Sequence, residues 1–224
     1  IDISSVKISL FSGITISGIE ILDHHDNVLI SINHLSASPV LSNLSFTNIH
    51  FIDIKLDEAI FNMGSYKDES SNNLSQLINN FTGESNDSKG EFKLFSESIV
   101  LINSRFNLFN QNRNYNPGEN MMDYANMLFD SIDASIDDFK LINDSLNFKI
   151  LNLSTKEISG LNIRDLSADL IISSTSMEAN HTIINVNESE LDVDFRMKYN
   201  NYKSLSYFID SVDMYGDIRS TTIN

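Results

Sequence analysis

Asp23-His24-His25-Asp26 is the one stretch of this chain where residue types with chemical potential crowd together. Imidazole and carboxylate are good ligands for a divalent metal. Adjacent residues of an extended chain point to opposite faces, however. All four also fall in a polar run, residues 23–27, between two alternating apolar runs. The pattern reads as a solvated hairpin turn rather than a metal centre. His34, His50 and His181 are isolated from one another, each inside a strand-like run, and read as satisfied or exposed strand histidines. Asp137-Asp138, Asp192/Asp194 and Asp210/Asp213 are the carboxylate pairs that acid–base chemistry would require. Asp192 and Asp194 alternate with Leu191, Val193 and Phe195, which marks the solvated face of a strand. G-x-S-x-G, P-loop, G-x-G-x-x-G, H-E-x-x-H and EF-hand patterns are all missing, and no serine sits in a nucleophile setting. The expectation is a protein that is not an enzyme, with no cofactor and no metal. Asn-x-Ser/Thr triplets at Asn43, Asn73, Asn80, Asn86, Asn143, Asn152, Asn180 and Asn187 arise by chance in a chain so rich in Asn and Ser.

The elements that hold these residues are strands. Val6, Ile8 and Leu10 alternate with polar neighbours, as a half-buried strand requires. Phe11, Ser12 and Gly13 break the run, and Ile14 and Ile16 restart it. Gly18 shifts the apolar phase to Ile19 and Ile21, the expected mark of a β-bulge. After the polar turn, Val28, Ile30 and Ile32 alternate again. Residues 42–45 read as a turn, and residues 46–58 as a strand with Ile52, Ile54 and Leu56 on one face, continued past a bend by residues 59–63. Leu74, Leu77, Ile78 and Phe81 fall at helical spacing behind Asn72 or Asn73 as N-cap. Residues 82–90 read as a loop, and 91–110 as a hairpin-like pair or one long bent strand. Residues 111–120 are irregular, and 121–126 suggest a helical turn. From 129 to 200 strand follows strand, then a second short helix over 202–210 and a last strand from Val212.

Ser12-Gly13-Ile14-Thr15-Ile16 is echoed by Ser159-Gly160-Leu161-Asn162-Ile163, which suggests one continuous object of two rough units, 1–120 and 121–224. A dozen or so strands with almost no crossover helices predict an antiparallel meander.

Fifteen basic against 31 acidic residues give a formal charge of −16, which repels phosphate backbones and anionic headgroups. Nucleic acid is therefore not an expected partner. The absence of cysteine excludes disulfides and thiolate chemistry, and suits a reducing cytosol or a Gram-negative periplasm. No apolar run is long enough to span a membrane. The chain opens on a strand without Met or signal peptide, and is expected to be an internal piece of a longer protein.

Strands with one apolar face must bury that face. Two packed sheets, a β-sandwich, would make the apolar residues simply the core, and composition alone favours this. A single strongly curved sheet would instead make them the lining of a groove. With no Trp, and with Ile and Leu dominating, such a lining suits an acyl chain, which is held by area rather than by hydrogen bonds.

The order of segments over residues 6–61 resembles the start of the periplasmic region of TamB-like proteins (the translocation and assembly module inner-membrane subunit), an AsmA-related family of Gram-negative bacteria. The matching positions are Ile8, Gly13, Ile14, Ile16, Gly18, Ile21, Asp23, Leu29, Leu35, Ile52 and Leu56. The His24-His25 turn and the helix at NNLSQLINNF look most like Bacteroidota versions, and residues 154–173 resemble a later unit. The likeness covers most of the chain, most strongly residues 6–58 and 143–199.

The resemblance implies a mainly β, elongated, taco-like groove built from a long antiparallel meander with two short helices. It implies a periplasmic location, with the full-length protein anchored to the inner membrane through a segment outside this chain. Its partners would be phospholipid acyl chains and an outer-membrane barrel of the TamA or BamA type, met through a region also outside this chain. The implied function is lipid transport towards the outer membrane and support of outer-membrane protein assembly. The expected lining is Val6, Ile8, Leu10, Ile14, Ile16, Ile30, Ile32, Ile52, Ile54, Leu56, Leu146, Phe148, Ile150, Leu191, Val193 and Phe195. The rival reading is a structural or adhesive β-sandwich on a cell surface, and a glycan-binding jelly roll is disfavoured by the lack of Trp.

Overall fold

Each alternating run becomes a strand that pairs with the run next to it in sequence. The structure, a computed structural model, describes residues 1–9, 13–43, 45, 47–69, 71–82, 91–113, 118, 121–201, 204 and 212–222. Eleven strands form one open, curled sheet in simple sequence order. They are β1 (Asp2–Ser9), β2 (Gly13–Leu22), β3 (Val28–Pro39), β4 (Asn48–Ser65), β5 (Lys93–Asn110) and β6 (Asn126–Ile142), followed by β7 (Ser145–Glu157), β8 (Asn162–Ile172), β9 (Ser176–Val186), β10 (Ser189–Tyr199) and β11 (Val212–Thr222). A single 3-10 turn at Leu41–Asn43 precedes β4. The segment at 91–110 is one long strand, and the bend at Ala59 does not end β4.

The meander has one exception: β4 and β5 are parallel, while every other neighbouring pair is antiparallel. A parallel neighbour needs a return crossover. Part of that crossover is α1 (Asn73–Thr82), the helix expected from the spacing of its apolar residues. Asn72 is its N-cap, accepting a hydrogen bond from Ser75 N at 2.7 Å. Leu74 and Leu77 are half-buried. The side chains of Ile78 and Phe81, the expected loop at 83–90, most of 114–120 and the expected second helix at 202–210, apart from Ser204, lie outside the described residues.

Strict alternation alone would not keep these strands apolar on one side. Gly18 has φ +66°, Glu58 +52°, Asn103 +45° and Ser131 +52°. A left-handed residue inside a strand reverses which face the next side chains take. Gly18 lies opposite Asn33, Asn33 opposite Glu58, and Glu58 opposite Asn103, so the reversals line up as a crease across the sheet. Gly18 is not a bulge, since the β2–β3 register runs unbroken from Ile14↔Ala37 to Ile21↔Ile30. It reverses the phase through its own backbone angle, and Ile16, Ile19, Ile21, Ile30, Ile32, Leu35, Leu56, Ala59 and Phe61 gather into one cluster.

The result is apolar rows that run across the strands. Ile8, Ile14, Ala37, Ile54, Ile99, Ile136, Ile150 and Ala168 are successive register partners from β1 to β8. A second row runs Val6, Ile16, Leu35, Leu56, Leu101, Ala134, Leu153. A third runs Ile49, Leu94, Leu141, Leu146, Ile172, Met177, Met197, Met214, from β4 to β11. Ala59 (0% exposed), Ser104 (1%) and Ala134 (3%) lie in or next to the crease, where small side chains let the strands fold over them. In a one-layer sheet such burial requires neighbours that curl over the same face, so the apolar face is the inside of the curl. The opposite face carries ion pairs such as Arg105–Asp130 and Arg196–Glu178.

Gly18→Ala tests the crease. The added methyl would stand 2.2 Å from Ser4 Oγ, which can swing aside, and 2.7 Å from Ser4 Cβ, which moves only with its backbone, and the left-handed backbone remains strained. A loss of about 1–2 kcal/mol in urea denaturation is expected, and unchanged stability would contradict the role given to Gly18.

Candidate functional site

Among the described residues, the apolar inner face of the curl is the most extended feature. Ile14, Ile16, Ile30, Ile32, Ile54 and Leu56 lie on it, and the register joins them directly. Leu146, Phe148 and Ile150 continue it on β7, opposite Ile172, Leu170 and Ala168. Leu191, Val193 and Phe195 continue it on β10, opposite Ile184, Thr182 and Ala179. Val6 partners Ile16 at the open edge and is 53% exposed. Ile8 is placed by its backbone pairing with Ile14, while its side chain, and Leu10 altogether, lie outside the described residues.

Ile52 does not join them. A register shift between Ala37 and Pro39 sets Phe51, partner of Pro39 and of the buried Ser96, in the place that strict alternation would give to Ile52. Ile52 is left half-exposed.

Sequence reasoning missed Ile19, Ile21, Ala59 and Phe61 beyond the crease, Leu35 before it, and the rows through Ile99 and Ile136. The available signal was two apolar alternations separated by an out-of-phase residue: Gly18 in β2, Asn33-His34 in β3 and Asp57-Glu58 in β4. Chemically the trough offers aliphatic and aromatic area, with Phe139 and Phe148 ring centroids 6.1 Å apart across β6 and β7.

A polar corner forms where the β2–β3 turn meets the end of β4 and the start of α1. The β2–β3 turn is shaped by the Asp23 carboxylate, whose Oδ1 accepts hydrogen bonds from His25 N (2.9 Å) and Asn27 N (3.1 Å). Its Oδ2 accepts from Tyr66 Oη (2.5 Å) and from Asn73 Nδ2 (3.1 Å). Asn73 is 1% exposed and also donates to Asn62 O (3.0 Å) and accepts from Gly64 N (2.9 Å), so one side chain ties α1, β4 and the turn together. Burial pushes the Asp23 carboxyl up, but these four hydrogen bonds outweigh it and hold the pKa below the ordinary aspartate value. Burial, and then the hydrogen bond to Asp23, push the Tyr66 phenol up to about 12.

Beyond that carboxylate, the His24 and His25 rings lie 4.3 Å apart, with Tyr66 5.6 Å and 4.2 Å from them. Glu69 meets both: Oε1 lies 2.7 Å from His25 Nε2, and Oε2 lies 3.0 Å from His24 Nε2. Hydrogen bonds from His25 and then His24 hold its pKa below the ordinary glutamate value. The turn expected to be merely solvated is thus one half of a cluster completed 44 residues along the chain. An open depression of about 400 Å³ lies alongside, lined by residues including Asn27, Tyr66, Asn73 and Phe109.

Together these features define a class, an open single-layer β trough with an apolar inside and an acidic outside. The sequence matches no protein-family model and no curated protein.

Two consequences are measurable. Asn73→Ala would leave Gly64 N, Asn62 O and part of Asp23 unpaired in a buried place, at about 1–3 kcal/mol for a group left unsatisfied. Chemical denaturation reads the total, and hydrogen exchange should localise the loss to Gly64. Glu157, 3% exposed, caps the β7–β8 turn and accepts from Leu128 N, Ser159 N and Ser159 Oγ. Burial pushes its carboxyl up, yet these bonds win and depress the pKa. Its stabilisation is therefore full above the ordinary glutamate range, about pH 4.3, and is lost as pH falls through the lower folded value. Glu157→Gln should be about 1–3 kcal/mol less stable at neutral pH. That gap should narrow towards pH 3, and a gap independent of pH would contradict the role given to the carboxylate.

Proposed function

We propose that this chain is a section of a lipid conduit: a non-enzymatic β groove of the TamB-like, AsmA-related kind that holds phospholipid acyl chains in the periplasm. The observation that carries this reading is the unbroken apolar row from Ile14 to Ala168, on the inside of a curled sheet with no second sheet over it among the described residues.

The energetics suit passage rather than capture. Burying a methylene is worth about 0.8 kcal/mol, so an acyl chain of about 16 carbons with half its surface covered gains roughly 6 kcal/mol before ordering costs. Successive aliphatic rows offer nearly equivalent positions, so a chain can slide along them without breaking a directional contact. The headgroup stays in water at the open side, and the acidic outer face keeps the structure dispersed. In this reading an inner-membrane anchor and a TamA- or BamA-type outer-membrane barrel engage parts of the longer protein outside this chain.

The experiment is binding of a fluorescent-acyl phospholipid to Ile16→Asp/Leu56→Asp, with Lys149→Asp on the outer face as control. Charge in the trough is expected to weaken binding at least about tenfold, since one desolvated charge costs well above 1.4 kcal/mol. Far-UV circular dichroism should be unchanged. A folded double variant that binds as the parent does would overturn the conduit.

A further inference from the structure

We propose that His24, His25 and Glu69 form a binding site for one divalent transition metal of the zinc type, which clasps the β2–β3 turn to the segment after β4. The inference goes beyond the trough and does not rest on it. The imidazole nitrogens and carboxylate oxygen of the three residues lie within 4.8 Å of one another. Tetrahedral zinc with bonds of about 2.0–2.1 Å holds its ligands roughly 3.4 Å apart. Glu69 Oε1 stands 2.7 Å from His25 Nε2 and 3.1 Å from His24 Nε2, so each of these two pairs needs to open by less than about one ångström to receive the ion.

The donor set fits the ion class. Two imidazoles and one carboxylate are borderline ligands that suit zinc, and they leave a fourth position for water. Calcium or magnesium would ask for more oxygen.

The surroundings hold the ligands in place. Gln76 Nε2, on α1, donates to Glu69 Oε2 at 2.9 Å, and Asn112 Nδ2 donates to the Glu69 backbone carbonyl at 3.0 Å. Asp23 fixes the backbone of His25, and the Tyr66 ring packs beside both imidazoles. Such outer partners orient metal ligands and set affinity. The three side chains are partly exposed, His24 23%, Glu69 26% and His25 44%, so an ion has a path in, and the net charge of −16 favours its approach.

The remaining histidine–carboxylate contacts among the described residues, His50–Glu97 and His181–Asp169, each offer one imidazole only. They serve as internal controls.

The test titrates the tag-free 224-residue chain with Zn²⁺ by calorimetry, and with Co²⁺ by the visible absorption of four-coordinate cobalt. One ion per chain is expected, with a Tm that rises with Zn²⁺ and not with Mg²⁺. His25→Ala should abolish binding. Glu69→Gln, which keeps the shape and removes the charge, should weaken it by about tenfold or more. His50→Ala/His181→Ala should bind as the parent does. Absence of binding to the parent chain, or equal binding by Glu69→Gln and the parent, would overturn the site.

Discussion

The whole structure depends on keeping large apolar side chains on one face of strands as long as 18 residues. A sheet has no interior of its own, so each side chain must find its contacts among its cross-strand neighbours. Register therefore matters more here than in a sandwich, where a facing sheet can compensate. Ile14, Ala37, Ile54, Ile99, Ile136 and Ile150 sit in one line because five successive pairings agree. Left-handed residues at Gly18, Glu58, Asn103 and Ser131 carry that agreement through the crease. Without reversals there, half of each long strand would turn its isoleucines to water.

The crease and the curl are one phenomenon. Where the phase reverses, the innermost positions take small side chains, Ala59, Ser104 and Ala134, and the strands close over them. Farther from it the same face carries Phe61, Phe106 and Phe129, partners in one row, which stay half-open. The trough is thus tight at its floor and adaptable at its walls. That shape gives an acyl chain surface to lie on without enclosing it.

The parallel pairing of β4 and β5 explains the polar corner. Because β5 runs the same way as β4, the segment after Ser65 must return across the end of the sheet, and α1 and Asn73 are part of that return. Asn73 and Asp23 bury polar groups at this corner, hydrogen-bonded to one another, to Asn62 and Gly64 of β4 and to Tyr66. Tyr66 packs edge-on against Phe109 of β5, ring centroids 5.3 Å apart. Edge strands at either end of such a sheet invite further pairing. At one end, β11 displays Asp213, Asp217 and Arg219, the last held by Asp192 and Asp194. Those charges discourage indiscriminate stacking.

Much of this was legible from residue order alone. Alternation with period two marked the strands, the 74–81 spacing marked the helix, and Ile14, Ile16, Ile30, Ile32, Ile54 and Leu56 share one face across the register, because side chains on a regular strand can only alternate. Residue order failed where local geometry departs from that rule: at Ile52, turned out by a register shift, and beyond the crease, where backbone angles at Glu58 or Asn103 are invisible in the residue types. It also took β4 and β5 for antiparallel neighbours, since a short helix between strands does not announce on which side the chain returns. The cluster of His24, His25 and Glu69 lay wholly beyond it. Two of its members read as an ordinary turn, and the third is a glutamate in a polar loop. Only the crossover, a long-range consequence of pairing, sets that carboxylate against those imidazoles.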